Sequence, residues 1–127
     1  MRPITTSLGY ETGSVRLSRY VLELLGHPEY VTILINDSNI QLAFLPSAKP
    51  DKAALKITYP KSEHSDRGAV IYSMILVRKI FQIMGWEKDK RYQIPGYYFE
   101  DIKVVNFDLR RGHKVTRRRY SKMEEND

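Results

Sequence analysis

The sequence predicts an α+β domain with short helices, in which one β-α-β-β unit occurs twice. Three observations carry the prediction. Two apolar stretches of helical spacing each end at a glycine, Gly26 and Gly85, the residue that takes the positive φ of a helix C-terminus at least cost. A serine stands before each stretch, Ser18 or Ser73, where its hydroxyl can accept a bond from a free N–H of the first turn. Each helix follows a short run that reads as a strand and precedes two such runs separated by a polar turn.

The first unit opens at Gly13. Val15-Arg16-Leu17 alternates apolar and basic residues, as a half-buried strand does. Val21, Leu22, Leu24 and Leu25 give the first helix its apolar side, and His27-Pro28 blocks its continuation. Residues 30–35 are rich in β-branched side chains, Asn36-Asp37-Ser38-Asn39 is a turn, and residues 40–45 alternate again up to Pro46.

The second unit opens at Gly68. Residues 69–72 read as a strand and 74–84 as a helix. Residues 91–99 form a long strand with a bend at Pro95-Gly96, Glu100-Asp101 turns the chain, and residues 102–107 return. Between the units, residues 54–59 alternate and suit an extra strand, while 60–66 reads as a polar loop. Aligned back from the two glycines, residues 17–26 fall on 76–85. The second unit has four more residues between its glycines, about one helical turn. The expected organisation is one domain, 1–109, with repeats at 13–46 and 68–109, a linker at 47–67, and a flexible basic tail at 110–127.

At 127 residues the chain can bury a core without staples, and it contains no cysteine, so disulfide and thiolate chemistry are excluded. Residues 1–6 lack the apolar core of a signal peptide, and no apolar run nears the roughly 18–20 residues of a membrane span. The expectation is a cytoplasmic protein with no membrane partner, as a monomer or homodimer. The formal charge is +6, and residues 110–127 hold seven Lys/Arg against three Asp/Glu. That lopsidedness points to a polyanionic partner.

Nothing in the chain has the pattern of a catalytic or cofactor site. His27, His64 and His113 are too far apart in sequence for metal-ligand spacing. No glycine-rich phosphate loop is present, Glu100-Asp101 belongs to a turn, and Ser18 and Ser73 are explained as caps. The reading is a binding protein, not an enzyme, with no cofactor and no metal. Tyr97-Tyr98-Phe99 has the chemistry to stack nucleobases, but alternation in a strand would leave one ring outside. The segment from Arg110 to Lys122 has no acidic residue, and its Arg110, Arg111, Lys114, Arg117, Arg118 and Arg119 suit phosphate contacts.

Gly13-Ser14-Val15-Arg16-Leu17-Ser18-Arg19-Tyr20-Val21-Leu22-Glu23-Leu24-Leu25-Gly26 resembles the AbrB-type (SpoVT/AbrB) swapped-hairpin family: a glycine, a short strand, a short helix ending in Leu-Gly, then a hairpin. Two units in one chain resemble the MraZ-like tandem arrangement, with a pseudo-two-fold barrel. Where the family's helix opens with proline, this chain aligns Ser18 and Val77. The resemblance implies a small DNA-binding transcriptional regulator. Arg16, Arg19, Arg78 and Lys79 would meet double-stranded DNA at equivalent places, and the C-terminal arginines would hold its backbone. A second reading fits the size and charge as well. It is a phage or mobile-element inhibitor, anti-CRISPR-like, whose partner is a protein such as a host defence nuclease.

Overall fold

The computed structural model of the protein describes residues 3–47, 54–60 and 68–115. In order the elements are β1 (Thr5–Gly9), β2 (Ser14–Leu17), α1 (Arg19–Leu25), β3 (Tyr30–Asn36), β4 (Gln41–Ser47), β5 (Ala54–Lys56) and β6 (Ala69–Tyr72). There follow α2 (Met74–Met84), β7 (Arg91–Phe99), β8 (Val104–Asp108), a 3-10 turn (Leu109–Arg111) and β9 (His113–Val115).

The helices stop and start where their end residues dictate. The Ser18 hydroxyl accepts from the Val21 N–H at 3.2 Å, and Gly26 closes α1 at φ 83°. The Ser73 hydroxyl accepts from the Leu76 N–H at 3.3 Å, and Gly85 closes α2 at φ 67°. Helix α1 buries Val21, Leu22 and Leu25, and α2 buries Val77, Ile80 and Phe81, one stripe each. With 7 and 11 residues the helices differ by the turn expected from the glycine spacing. The alignment back from the glycines fails at the helix starts, however. Ser73, not Val77, caps α2, because the extra turn lies between cap and glycine.

The strands pair antiparallel in the order β5-β3-β4-β8-β7-β1-β2-β6. Thr58, just past β5, bridges to Val70 of β6 and brings the two ends together. The result is a mostly-strand, nearly closed antiparallel barrel with two short helices. Near-closure leaves little free edge to recruit foreign strands. Hairpins β3–β4 and β7–β8 turn alike, through four residues each, and the last of the four, Ile40 (φ 56°) or Lys103 (φ 53°), is left-handed. Strand β2 pairs with β6 and β4 with β8, in registers that set Val15 opposite Ile71 and Ala43 opposite Asn106. Strand β1 lies between β2 and β7, while β5 pairs with β3 and its extension reaches β6. Apart from the β7–β9 pair, the pairings among the described residues thus read the same when the two halves of the chain are exchanged.

Inward side chains fill the barrel: Leu8, Val15, Val31, Phe44, Ile71, Ile94, Val105 and Phe107 are all 0% exposed. Each such burial contributes roughly 1.5–3 kcal/mol. Among the described residues one threonine is buried, Thr6, and it donates to the Arg16 carbonyl at 2.8 Å, so its hydroxyl is satisfied.

Three expectations change and one is met. A strand, β1, precedes Gly13, so the first half starts earlier than residue 13. The extra strand expected at 54–59 is present as β5, with the buried Ile57 just past it. The expected tail is not one from residue 110: Arg110 and Arg111 belong to the 3-10 turn, and β9 pairs with β7, Gln93 opposite His113 and Arg91 opposite Val115. The turn holds because the Asp108 carboxylate accepts from the Arg110 N–H and the Gly112 N–H returns to the Leu109 carbonyl. In β7 two rings face out, Tyr97 (56% exposed) and Phe99 (50%), with Tyr98 packed against the core, because the inward phase of the strand falls on even positions. Among the described residues no helix is long and apolar enough to cross a membrane.

Candidate nucleic-acid interface

The registers place a polar strip on the outer face of β6, β2, β1, β7 and β9. Straight across the strands lie Val70, Arg16, Ser7, Gln93 and His113. The next row is Tyr72, Ser14, Gly9, Arg91 and Val115. Thr5 and Pro95 continue the face beyond. None of these outward residues is acidic.

Arg91 is held against this face. Its guanidinium donates to the Ser14 hydroxyl and the Ser7 hydroxyl, both at 3.3 Å, and Thr12 donates to Ser14 at 2.7 Å. It lies over Gly9, where a Cβ would collide with the Arg91 Nη1. A glycine inside a strand marks such a close approach. Arg16 is exposed beside it, and its side chain has no ion-pair partner among the described residues. A groove of about 200 Å³ runs along Arg16, lined by Thr5, Ser7, Ser18, Gly68 and Gln93. Gly68 is needed there because its Cα passes directly over the Leu17 carbonyl. Guanidinium, hydroxyl and amide groups on a rigid sheet are the donors that phosphate oxygens take.

The other expected contact residues are dispersed. Arg19 opens α1 and pairs with Glu23 at 3.9 Å, an exposed contact of small energetic consequence. Arg78 and Lys79 stand in mid-helix on α2, exposed, and do not match Arg19 once the caps are matched. The Arg78 guanidinium sits 5.2 Å from the Tyr10 ring centre, with Lys88 at 5.4 Å from the same ring. Arg110 binds Asp108 at 3.2 Å, and its hydrogen bond holds the Asp108 carboxyl below the usual range. Arg111 donates to the Tyr97 hydroxyl at 2.8 Å. Lys114 pairs with Glu87, which raises the lysine pKa through their hydrogen bond. Arg117, Arg118 and Arg119 lie outside the described residues. Their last described neighbour in the chain, Val115, is the register partner of Arg91.

Of the residues on this strip, sequence reasoning named Arg16 but not Arg91, Ser7, Ser14 or Gln93. The available signal was Gly9, isolated in a run that now proves to be a strand. His27 is exposed with φ 52° behind α1, and His113 lies in β9. Among the described residues no three His, Asp or Glu side chains gather in a metal-binding group.

Comparison with family models, with curated proteins and with solved structures finds no match to this chain.

Proposed function

We propose that this protein binds double-stranded DNA through the outer face of β6-β2-β1-β7, as a small transcriptional regulator of tandem swapped-hairpin architecture. One observation carries the reading: Arg16 and the clamped Arg91 stand with Thr5, Ser7, Gln93 and His113 on a strand face free of acidic side chains. These are phosphate-contact chemistries, and the sheet fixes their spacing before DNA arrives, which lowers the ordering cost. The exchange symmetry of the pairings supports the tandem arrangement. Val15 faces Ile71 across the centre of the β2–β6 pair, so the counterpart of Arg16 in the second half is Tyr72. A bound duplex would meet unlike side chains in its two halves, which favours an asymmetric target over a palindrome.

The test is a salt-titrated binding assay on several duplexes with wild-type protein, Arg16→Ala, Arg91→Ala and a truncation after Val115. Each lost phosphate contact should reduce the log–log salt slope by about 0.9. Absence of duplex binding even at low salt would sink the reading.

A protein partner, such as a host defence nuclease, is favoured by a different feature. Tyr72, Met74 and Ile75 are exposed in near succession at the start of α2, Ile75 at 85%. Recovery of one stoichiometric protein partner from nuclease-treated lysate, lost on Ile75→Asp, would favour that reading.

A further inference from the structure

We propose that the outer surface over β3-β4-β8 and the C-terminal end of β7 binds single-stranded nucleic acid, with bases stacked on Tyr97 and Phe99 and Arg111 meeting the phosphate beside them. The two rings project from alternate positions of β7 and are 56% and 50% exposed. Alternate strand residues are about 6.6–6.8 Å apart. Stacked bases of a duplex rise about 3.4 Å and have no free faces. The two rings therefore suit splayed bases of a single strand and not a duplex.

The hairpin fold does not require these rings. Matching the two hairpins by their left-handed residues, Ile40 and Lys103, sets Tyr97 against Leu34 and Phe99 against Asn36. The first hairpin makes the same turn without an aromatic at either place. Arg111 reaches only the rim of Tyr97, through the hydroxyl, so the face of the ring stays open. The guanidinium itself is exposed, next to Arg110 in the same turn. Of the carboxylates near this surface, Asp108 is engaged by Arg110, while Asp37 lines the far end of the groove next to Asn36. The residue opposite Tyr97 is Asn106, whose amide donates to the Gln41 side chain at 2.8 Å. These amides border an open groove of about 480 Å³ floored by Ala43 and walled by Leu34. A base on Tyr97 would thus lie with its polar edge toward a pair of carboxamides. Flat rings, an adjacent guanidinium and edge-reading amides on one sheet are the components of sequence-tolerant single-strand recognition.

This inference does not depend on the duplex reading, since it uses different residues, on the part of β7 beyond Pro95 that pairs with β8 and no longer with β1. The probe is a labelled oligothymidylate of about 12 nucleotides, titrated by fluorescence anisotropy beside a labelled duplex. Tyr97→Ala and Phe99→Ala should each weaken oligothymidylate binding by about 5- to 150-fold and leave duplex binding unchanged. Tyr97→Phe keeps the ring and should stay within a few-fold of wild type. Both rings are half exposed, so the variants should fold, and thermal melting checks this. No oligothymidylate binding by wild type, or equal binding by the alanine variants, overturns the proposal. So does sedimentation showing wild-type dimers that the alanine variants abolish, because the face then belongs to a second copy of the chain. Loss of duplex binding alone, with the oligothymidylate result intact, defeats only the duplex reading.

Discussion

Phe44 of β4 and Phe107 of β8 meet in the barrel interior with ring centroids 4.9 Å apart and planes inclined at 60°. Both are 0% exposed. They occupy the same position in their hairpins, four residues after Ile40 and Lys103. The contact is therefore one of the places where the two halves of the chain meet, across the β4–β8 pair. Phe44→Ala and Phe107→Ala should each cost about 3–5 kcal/mol in denaturant unfolding. The double variant should cost less than the sum, with a coupling of about 0.5–1.5 kcal/mol for the tilted ring pair. Simple additivity would mean that the two rings contribute independently, without a stabilising contact between them.

Both helix caps predict local losses. Ser18→Ala and Ser73→Ala should each destabilise by about 0.5–2 kcal/mol, measured from the shift in denaturant midpoint. Val77→Ala at the position aligned from the glycines should behave differently, as a buried truncation of α2 and not as a lost cap.

Gly9 and Gly96 separate interface from core. Gly9→Ala meets the end of a flexible arginine, so Arg91 should swing away while the fold persists. Duplex binding should then fall as it does in Arg91→Ala, with little change in Tm. Gly96→Ala places a Cβ 2.6 Å from the Asn106 carbonyl and from the Phe107 ring. Backbone cannot yield as a side chain can, and a loss of about 1–3 kcal/mol is expected. A comparable Tm loss in both variants would contradict this account of Arg91.

The Asp108–Arg110 contact gives a pH prediction. The carboxyl pKa is lowered in the fold, first by the side-chain hydrogen bond from Arg110. A depressed carboxyl pKa contributes stability that is complete above its unfolded value, about 3.9, and is lost as pH falls through the folded value. In carboxyl-detected NMR titration Asp108 should ionise below the ordinary Asp range. Arg110→Ala should move it back upward, with only a minor effect on Tm because the pair is exposed.

Several elements were legible before any coordinates. Helix α2 runs over 74–84 and β7 over 91–99, the bounds their residues imply, because Ser73 and Gly85 act on the nearest turn and alternation acts along one strand. Strand β1 was not legible. Thr5-Thr6-Ser7-Leu8-Gly9 carries one apolar side chain and lies in the sheet only through its pairings with β2 and β7. The same holds for β9, whose polar His113-Lys114 is recruited by the edge of β7.

The interface divides along the same line. Cap, glycine and hydrophobic spacing act over one or two turns of chain, so the two helices, the two hairpins and the outward place of Arg16 follow from the order of residues. Arg91 reaches Ser14 across 77 positions and Ser7 across 84. Which side chains share a face at that separation depends on strand order and register, and these are set only when the whole barrel buries its apolar side at once. For that reason the folded chain, and no shorter stretch of it, gathers Arg91, Arg16, Ser7 and Gln93 beside the start of β7 and sets Tyr97 and Phe99 beside β8 at its end.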